Sequence, residues 1–192
     1  HNTLLYQEAF GYADVQAKKV YTNQTIQHIA SVSKTFVGAA IVKAIEEGYF
    51  TLETDINSLL PITIVNPNTP DDTIRVKHLV THTSGLLDET GTYFRENYYI
   101  LPGEDITTSA AQALINQLGI PQREGRSLEE FLAEYYLEDG DNYSLDNFGD
   151  ASPGTSWSYS NVATGLAAYL IEQATGQSFA SYVKEKIFLP LG

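Results

Sequence analysis

Apolar residues in this chain change their spacing once, close to residue 31. From Val32 onward they recur at three- and four-residue intervals until Gly48 interrupts the pattern. This spacing places them along one side of an α-helix, and a glycine commonly ends such a helix. The sequence therefore predicts a buried helix over residues 31–48.

Candidate strands come before this helix. Leu5–Tyr12 is rich in aromatic residues that alternate loosely, and Ile26–Ala30 is a second short apolar run beyond a turn region. Both patterns are typical of β-strands. We expect strands only within residues 1–30 and a mainly helical region over 49–192, which makes an α+β domain. So few strands leave the apolar helices little sheet to cover, and we expect the rest of that sheet to be absent from this chain.

Capping signals divide the helical region. Ser127 and Glu130 have the spacing of a capping box, in which each side chain binds the backbone of the other. Other candidate caps are Thr73, Asn161 and Ser178. The predicted helices are 75–80, 109–118, 128–137, 161–174 and 178–187. The acidic stretch 138–153 has no periodicity and is predicted to be a long surface loop.

Composition narrows the range of functions. The 192 residues include 11 Lys and Arg against 24 Asp and Glu, a formal net charge of −13, which repels phosphate backbones. A nucleic-acid partner is therefore not expected. No apolar stretch reaches the roughly 18 residues of a membrane span. Cysteine is absent, which excludes disulfides, and methionine is absent, so we expect a processed or truncated piece of a longer protein.

One Ser-x-x-Lys pair lies at the start of the first predicted helix. Ser31 and Lys34 are three residues apart, so a helix places the hydroxyl and the ammonium on the same face. Roughly one such pair is expected by chance in a chain of this length. A second does occur at Ser181 and Lys184, within a polar helical turn.

Position distinguishes the two pairs. Ser31 lies at a predicted strand-to-helix junction, where unpaired backbone N–H groups and the helix dipole favour a developing oxyanion. At Lys34 the dipole and burial both disfavour a cation, which predicts a lowered pKa and a lysine able to activate a serine. The alternative is that Ser31 is only a helix cap and Lys34 a surface residue.

A phenol and an amide that could serve the same site occur at Tyr159 and Asn161. Residues two apart point the same way in an extended or turn conformation, so both side chains could face one pocket. A similar triplet occurs at Tyr21–Asn23, but Tyr159 lies at a loop-to-helix junction and is the better candidate. Alternatively, Tyr159 is a core tyrosine and Asn161 a plain helix cap.

A metal site is not predicted. His78 and His82 are four residues apart and Asp88 follows, but histidines at this spacing are common without a metal, and no glutamate follows as in a His-Glu-x-x-His motif. No other cofactor is expected.

Four ordered blocks resemble a known family. They are IASVSKTF (29–36), HLVTHTSGL (78–86), PGTSWSYSNVATG (153–165) and IFLPLG (187–192). They are similar to the serine beta-lactamase family, which includes class C beta-lactamases, D-alanyl-D-alanine carboxypeptidases and related esterases. The resemblance implies a beta-lactamase/transpeptidase-like fold.

The resemblance also implies roles for individual residues. Ser31 matches the serine that is acylated by a beta-lactam, a D-Ala-D-Ala peptide or an ester. Lys34 and Tyr159 match the pair that passes the serine proton to the leaving group. A free tyrosine has a pKa of about 10, so it needs an adjacent cation to act as a base near neutral pH. Asn161 matches the residue that binds the substrate amide, and the His82–Gly85 block is implied to be structural.

One family motif is not matched. Members carry a Lys-Thr-Gly or His-x-Gly strand that supplies a second oxyanion N–H, and it lies C-terminal to the blocks found here. We therefore expect this chain to be weak or inactive alone, with the missing segment either supplied by another chain or lost. The alternative is a non-catalytic penicillin-binding-like receptor or pseudoenzyme. A secreted or periplasmic location is implied by the resemblance only.

Overall fold

A computed structural model describes residues 4–191 and divides the chain into two units, residues 1–33 and 34–192. Helices predominate, and within the described residues the sheet has two short strands. The helices are α1 Lys34–Glu46, α2 Val76–Val80, α3 Thr90–Asn97, α4 Ser109–Leu118, α5 Leu128–Tyr136, α6 Asn161–Thr175, α7 Phe179–Val183 and α8 Leu189–Leu191. In the part of the chain that is described, no helix is long and apolar enough to cross a membrane.

The first unit contains a β-hairpin. Strand β1 (Tyr12–Asp14) pairs in antiparallel fashion with β2 (Lys19–Val20). The aligned residues are Tyr12 with Val20 and Asp14 with Lys19. The Asp14 carboxylate accepts a hydrogen bond from the backbone N–H of Ala17 at 2.8 Å. This local contact stabilises the turn, as aspartate commonly does.

The strands are shorter than the sequence predicts. The predicted strand Leu5–Tyr12 is irregular up to residue 10, and β1 begins only at Tyr12. Ile26–Ala30 does not form a strand, and the Ile26 side chain is 96% exposed. Apart from Tyr12 in β1, no described residue of either segment pairs with a strand, and isolated strands lack the ladder of hydrogen bonds that stabilises a sheet.

The predicted helix 31–48 is also divided differently. Residues Ala30–Ser33 form a 3-10 turn, and the α-helix itself is α1. Ala30 has a φ of 45°, in the left-handed region that residues with a Cβ rarely adopt. Periodicity alone does not distinguish such a tight turn from the first turn of an α-helix.

Helix α6 is the centre of the second unit. Its residues from Val162 to Ile171 are mostly buried, and α1, α2, α5 and α7 all pack against it. Ala40, Ile41 and Ala44 of α1 are also buried. A helix that is apolar around most of its circumference is stabilised by such enclosure. The packing fixes the start of α6 relative to α1, which carries Lys34.

Two predicted helices are confirmed closely. Helix α4 has the predicted bounds and ends at Gly119, whose φ of 66° is typical of a glycine that terminates a helix. The capping box at the start of α5 is present. The Ser127 hydroxyl accepts from the N–H of Glu130 at 3.1 Å, and the Glu130 carboxylate accepts from the N–H of Ser127 at 2.9 Å.

Helix α3 was not predicted. Its N-cap is Glu89, whose carboxylate accepts hydrogen bonds from the backbone N–H groups of Gly91 and Thr92. Glutamate is not among the residues that usually cap helices, so the sequence carries no clear start signal here.

The stretch 138–153 is anchored more firmly than the prediction of a surface loop implies. It contains a 3-10 turn at Leu145–Asn147, and Asn147 is fully buried. The Asn147 amide donates hydrogen bonds to the carbonyls of Tyr135 and Asn142 at 2.7 and 3.1 Å. The buried Asn147 side chain therefore helps to tie this acidic segment to the core.

The C-terminal helix is interrupted. Ser178 caps α7 as predicted and accepts from the N–H of Ser181 at 3.3 Å. A π-helical turn at Lys184–Phe188 then separates α7 from α8. The sequence predicts a continuous helix here because a single-turn change of helix type does not alter the apolar pattern.

Candidate active site

Lys34 is the first residue of α1 and is half-buried. Its Nζ donates a hydrogen bond to Oδ1 of Asn161 at 2.6 Å, although the two residues are 127 positions apart in sequence. Asn161 is the first residue of α6, so the contact joins the starts of the two central helices. A short, charge-assisted hydrogen bond of this kind is among the stronger polar contacts in proteins.

The Asn161 amide also contacts a carboxylate. Its Nδ2 donates to Oδ2 of Asp88 at 2.8 Å. An ammonium can only donate hydrogen bonds and a carboxylate can only accept them. The amide oxygen must therefore face Lys34 and the amide nitrogen must face Asp88, which fixes the orientation of this side chain.

Tyr159 lies beside the same cation. The Nζ of Lys34 is 4.9 Å from the centroid of the Tyr159 ring, within the range of a cation–π contact. The Tyr159 side chain is 40% exposed, so the ring lies at the surface of the second unit. The alternative of a core tyrosine is not supported by this exposure.

His82 packs against Tyr159 and binds the backbone around it. The two ring centroids are 4.6 Å apart. The backbone N–H of Ser158 donates to the His82 carbonyl at 2.8 Å, and the N–H of Ser160 donates to His82 Nδ1 at 3.2 Å. Burial lowers the pKa of His82, and the positive charge of Lys34 lowers it further, against an opposing effect of Asp88.

These contacts indicate the protonation state and the tautomer of His82. A lowered pKa favours the neutral ring, and because Nδ1 accepts a hydrogen bond the proton lies on Nε2. The backbone of His82 has a φ of 56°, so this residue occupies a left-handed turn. Thr83 is the next residue of the His82–Gly85 block, and its carbonyl accepts a hydrogen bond from the N–H of Gly154 at 2.7 Å. Within the described residues, His82 holds the backbone that carries Tyr159.

The N-terminus of α6 has its backbone donors satisfied by side chains. Asp88 accepts from the N–H groups of Asn161 and Val162 at 2.8 and 2.9 Å. The Ser160 hydroxyl accepts from the N–H of Ala163 at 2.9 Å, so the N-cap is Ser160 and not Asn161. The amide of Asn161 is consequently available for Lys34.

A cavity of about 260 Å³ adjoins this cluster. Lys34 and Asn161 are two of its polar lining residues, together with Asn97 and Thr164, and Tyr93, Leu128 and Phe131 are among its other lining residues. These come from α1, α3, α5 and α6, all within the second unit. Burial raises the pKa of Tyr93, with a further contribution from its hydrogen bond to Tyr98. Tyr93 is therefore a neutral wall of the cavity.

The structure brings together three of the four predicted site residues. Lys34, Tyr159 and Asn161 meet in the second unit. Ser31 belongs to the first unit, where it is exposed in the 3-10 turn Ala30–Ser33, and its part in the site stays a prediction. The other serine of matching spacing, Ser181, is an exposed residue in α7 that binds the Ser178 cap.

Sequence reasoning missed the central role of Asp88. The sequence presents this residue only as a candidate metal ligand, yet both of its oxygens accept hydrogen bonds from the start of α6. The only sequence signal is its position three residues after the His82–Gly85 block. A carboxylate that caps a helix some 72 to 74 residues later leaves no local pattern.

The sequence matches the family described as Beta-lactamase over residues 1–192, and the chain belongs to this family. It is 29% identical over 191 residues to penicillin-binding protein 4* of Bacillus subtilis (strain 168), covering 98% of this chain and 34% of that protein. It is also 29% identical over 195 residues to esterase EstB of Burkholderia gladioli, covering 100% of this chain and 43% of that protein. The chain thus spans between a third and a half of the length of these relatives.

A solved structure has a fold similar to that of this chain. The octameric penicillin-binding protein homologue from Pyrococcus abyssi superimposes with a TM-score of 0.66 and 27% identity, covering 97% of this chain and 36% of that one. The beta-lactamase/transpeptidase-like fold implied by the four sequence blocks is thereby confirmed. Within residues 4–191 the chain is mainly helical and has a two-stranded sheet.

Proposed function

We propose that the complete protein is a serine hydrolase or acyltransferase that works through an acyl-enzyme at Ser31. The observation that carries this proposal is the cluster around the Lys34 ammonium. Asn161 accepts its hydrogen bond and the Tyr159 ring lies beside it, although both are far away in sequence. Relatives named as a penicillin-binding protein and an esterase support the same reaction class.

In the proposed reaction, the Ser31 hydroxyl oxygen attacks the carbonyl carbon of a beta-lactam, a D-Ala-D-Ala peptide or an ester. The proton of Ser31 passes to the ionised oxygen of Tyr159, beside the Lys34 ammonium, and from there to the nitrogen or oxygen of the leaving group as the carbonyl bond to that atom breaks. Water or another acceptor then attacks the acyl-enzyme, which releases the acyl group and restores Ser31.

The surroundings of Tyr159 suit the role of a proton carrier. A nearby cation favours the ionised phenol, and Lys34 supplies that cation. His82 is held neutral by burial, so it does not compete as a second cation beside the ring. The Asn161 amide, which the structure orients, would hold Lys34 in place and bind the substrate amide.

The substrate is proposed to occupy the cavity beside Lys34 and Asn161. Its combination of apolar walls and a few polar groups is typical of small-molecule sites. Lactam, peptide and ester substrates all contain the carbonyl group that the proposed reaction requires. We further propose that the protein acts outside the cytoplasm, where wall peptides and antibiotics occur.

Covalent labelling tests the proposal. The complete protein would be treated with a fluorescent penicillin and, separately, with a fluorophosphonate, and compared with Ser31→Ala and with the matched variant Ser181→Ala. We expect label on the parent and on Ser181→Ala, and none on Ser31→Ala. Equal labelling of Ser31→Ala would show that the nucleophile is a different residue.

Turnover separates an enzyme from a receptor. Release of the fluorescent acyl group in successive cycles, or hydrolysis of a p-nitrophenyl ester, is expected from the hydrolase. A stoichiometric adduct that never turns over would instead favour the penicillin-binding-like receptor.

A further inference from the structure

We propose that Asp88 is a positioning residue of the acyl-transfer site, and that it acts by orienting Asn161 and the turn that carries Tyr159. This inference rests on the proposed function of the site. It assigns to a residue outside the four sequence blocks the task of holding two of the groups that would act on the substrate.

The contacts of Asp88 are concentrated on three consecutive residues. Oδ1 accepts from the Ser160 hydroxyl and from the N–H of Val162, each at 2.9 Å. Oδ2 accepts from the N–H and from the side-chain amide of Asn161, each at 2.8 Å. Four donors therefore converge on one carboxylate, which is the ideal acceptor for them because it carries no donor of its own.

His82 and Asp88, at the two ends of the segment 82–88, hold the backbone of Tyr159–Asn161 in place. His82 binds the N–H of Ser160, and Asp88 binds the hydroxyl of the same residue. Ser160 is fully buried, so it serves as the anchor from which Tyr159 on one side and Asn161 on the other project. Contacts that lock the rotamers of supporting residues are how a site maintains its geometry.

Replacing the carboxylate with an amide would disrupt this arrangement. The amide of an Asp88→Asn variant has one accepting atom and one donating atom, and it would face four donors. Whichever way that amide is turned, its nitrogen would face a backbone N–H, that of Asn161 in one orientation and that of Val162 in the other, so the start of α6 would have to move away from it. That movement would displace Asn161 from its contact with Lys34.

A purely structural role predicts a different outcome. Ser160 already caps the helix through Ala163, so Asp88 could in principle be only an additional cap. Loss of a cap lowers stability without a specific effect on the reacting groups. A positioning role instead predicts a slower acylation step and an effect that depends on Asn161.

The test is stopped-flow acylation of the complete protein by a fluorescent penicillin, which gives the dissociation constant and the acylation rate constant separately. The variants are Asp88→Asn, Asn161→Ala and the double variant. Asp55→Asn is the matched control, since Asp55 is a half-buried carboxylate that caps a 3-10 turn away from the site. All variants are compared by circular dichroism and thermal unfolding.

We expect Asp88→Asn to slow acylation by about 100-fold, the scale of loss that a small misplacement of reacting groups causes. Asp55→Asn should acylate at the parental rate and with the parental dissociation constant. In the Asn161→Ala background the same change should cost much less than in the parent. Parental acylation by Asp88→Asn, or the same loss in both backgrounds, would overturn the assignment.

Two further variants keep the test decisive. If Asp88→Asn does not fold, Asp88→Glu retains the charge but displaces it by one methylene. A folded Asp88→Glu that acylates slowly supports the proposal, and one that acylates at the parental rate contradicts it. Ser31→Ala separates the two hypotheses. If Ser31→Ala is labelled, the proposed function is refuted. If Ser31→Ala is not labelled and Asp88→Asn acylates at the parental rate, only the role of Asp88 is refuted.

Discussion

Helices α5 and α6 begin in two different ways. At α5 the first turn is closed by Ser127 and Glu130, which lie three residues apart and bind each other's backbone. At α6 two of the contributing side chains, His82 and Asp88, precede the helix by more than 70 residues. The first arrangement stabilises a helix. The second also determines where the residues at the start of that helix point.

The difference bears on the proposed reaction as well as on stability. A local cap leaves the helix free to be placed by its apolar face alone. The long-range contacts at α6 fix the orientation of Asn161 and, through Ser160, the backbone that carries Tyr159. We expect perturbation of the α6 start to affect both stability and reactivity, and perturbation of the α5 start to affect stability alone.

The largest effect on stability is expected for Asp88→Ala. This change leaves four donors at the start of α6 without their acceptor, and hydrogen bonds to charged groups contribute most among polar contacts. Urea unfolding should show a loss of about 3 kcal/mol. A loss no larger than that of an ordinary helix cap would contradict the distinction between the two helices.

A smaller loss is expected for Ser160→Ala. The hydroxyl of this fully buried residue donates to Asp88 and accepts from Ala163, so two hydrogen bonds disappear together. Removal of both should cost about 2 kcal/mol in urea unfolding. Ser178→Ala at the exposed start of α7 serves as the matched control. Equal losses in the two variants would mean that the link to Asp88 contributes nothing.

At α5, Ser127→Ala should cost about 1 kcal/mol, the usual value for a helix cap. Since this capping box is local and exposed, acylation by the complete protein should be unchanged. Measurement of unfolding and of penicillin acylation on the same preparation tests both statements. Slower acylation would show that α5 also positions reactive groups.

The smallest effect is a dependence on pH. Burial and Lys34 lower the pKa of His82 below its ordinary value of about 6.5. Below pH 6.5 the unfolded chain therefore takes up a proton that folded His82 resists, so this residue's contribution to stability is complete above that pH and declines as the pH falls towards the folded pKa.

His82→Asn isolates this contribution. Asparagine tolerates the positive φ of the position, and its side-chain oxygen can accept the N–H of Ser160. Unfolding free energies at pH 7.5 and pH 5 should differ more in the parent than in the variant. His78 also has a pKa lowered by burial, but it titrates in both proteins and cancels in the comparison. An identical difference would show that His82 does not titrate as described.

The helices that the sequence predicts well are those whose ends depend on residues close to one another in the chain. The bounds of α4 and the capping box of α5 depend on residues a few positions apart, so they are visible in the sequence itself. The start of α3 was missed because its cap is Glu89, an unusual residue there. The strand predicted at Ile26–Ala30 does not form, because a strand depends on a partner that local pattern does not reveal.

For the candidate site, the sequence singles out residues but does not predict their arrangement. Ser31, Lys34, Tyr159 and Asn161 were singled out by junction position and by resemblance to a family. The contact between Lys34 and Asn161 spans 127 residues and arises from the packing of α1 on α6. Asp88 acts through distant backbone donors, and a single carboxylate in a loop gives no indication of such a role.

A crystal structure of the complete protein after reaction with a fluorophosphonate would test the central hypothesis most directly. We predict continuous density from the Ser31 Oγ to phosphorus, with the Lys34 Nζ bound to the Asn161 amide oxygen and Asp88 still accepting from the start of α6. An adduct on any other residue, with Ser31 unmodified, would contradict the assignment of Ser31, Lys34, Tyr159 and Asn161 to one acyl-transfer site.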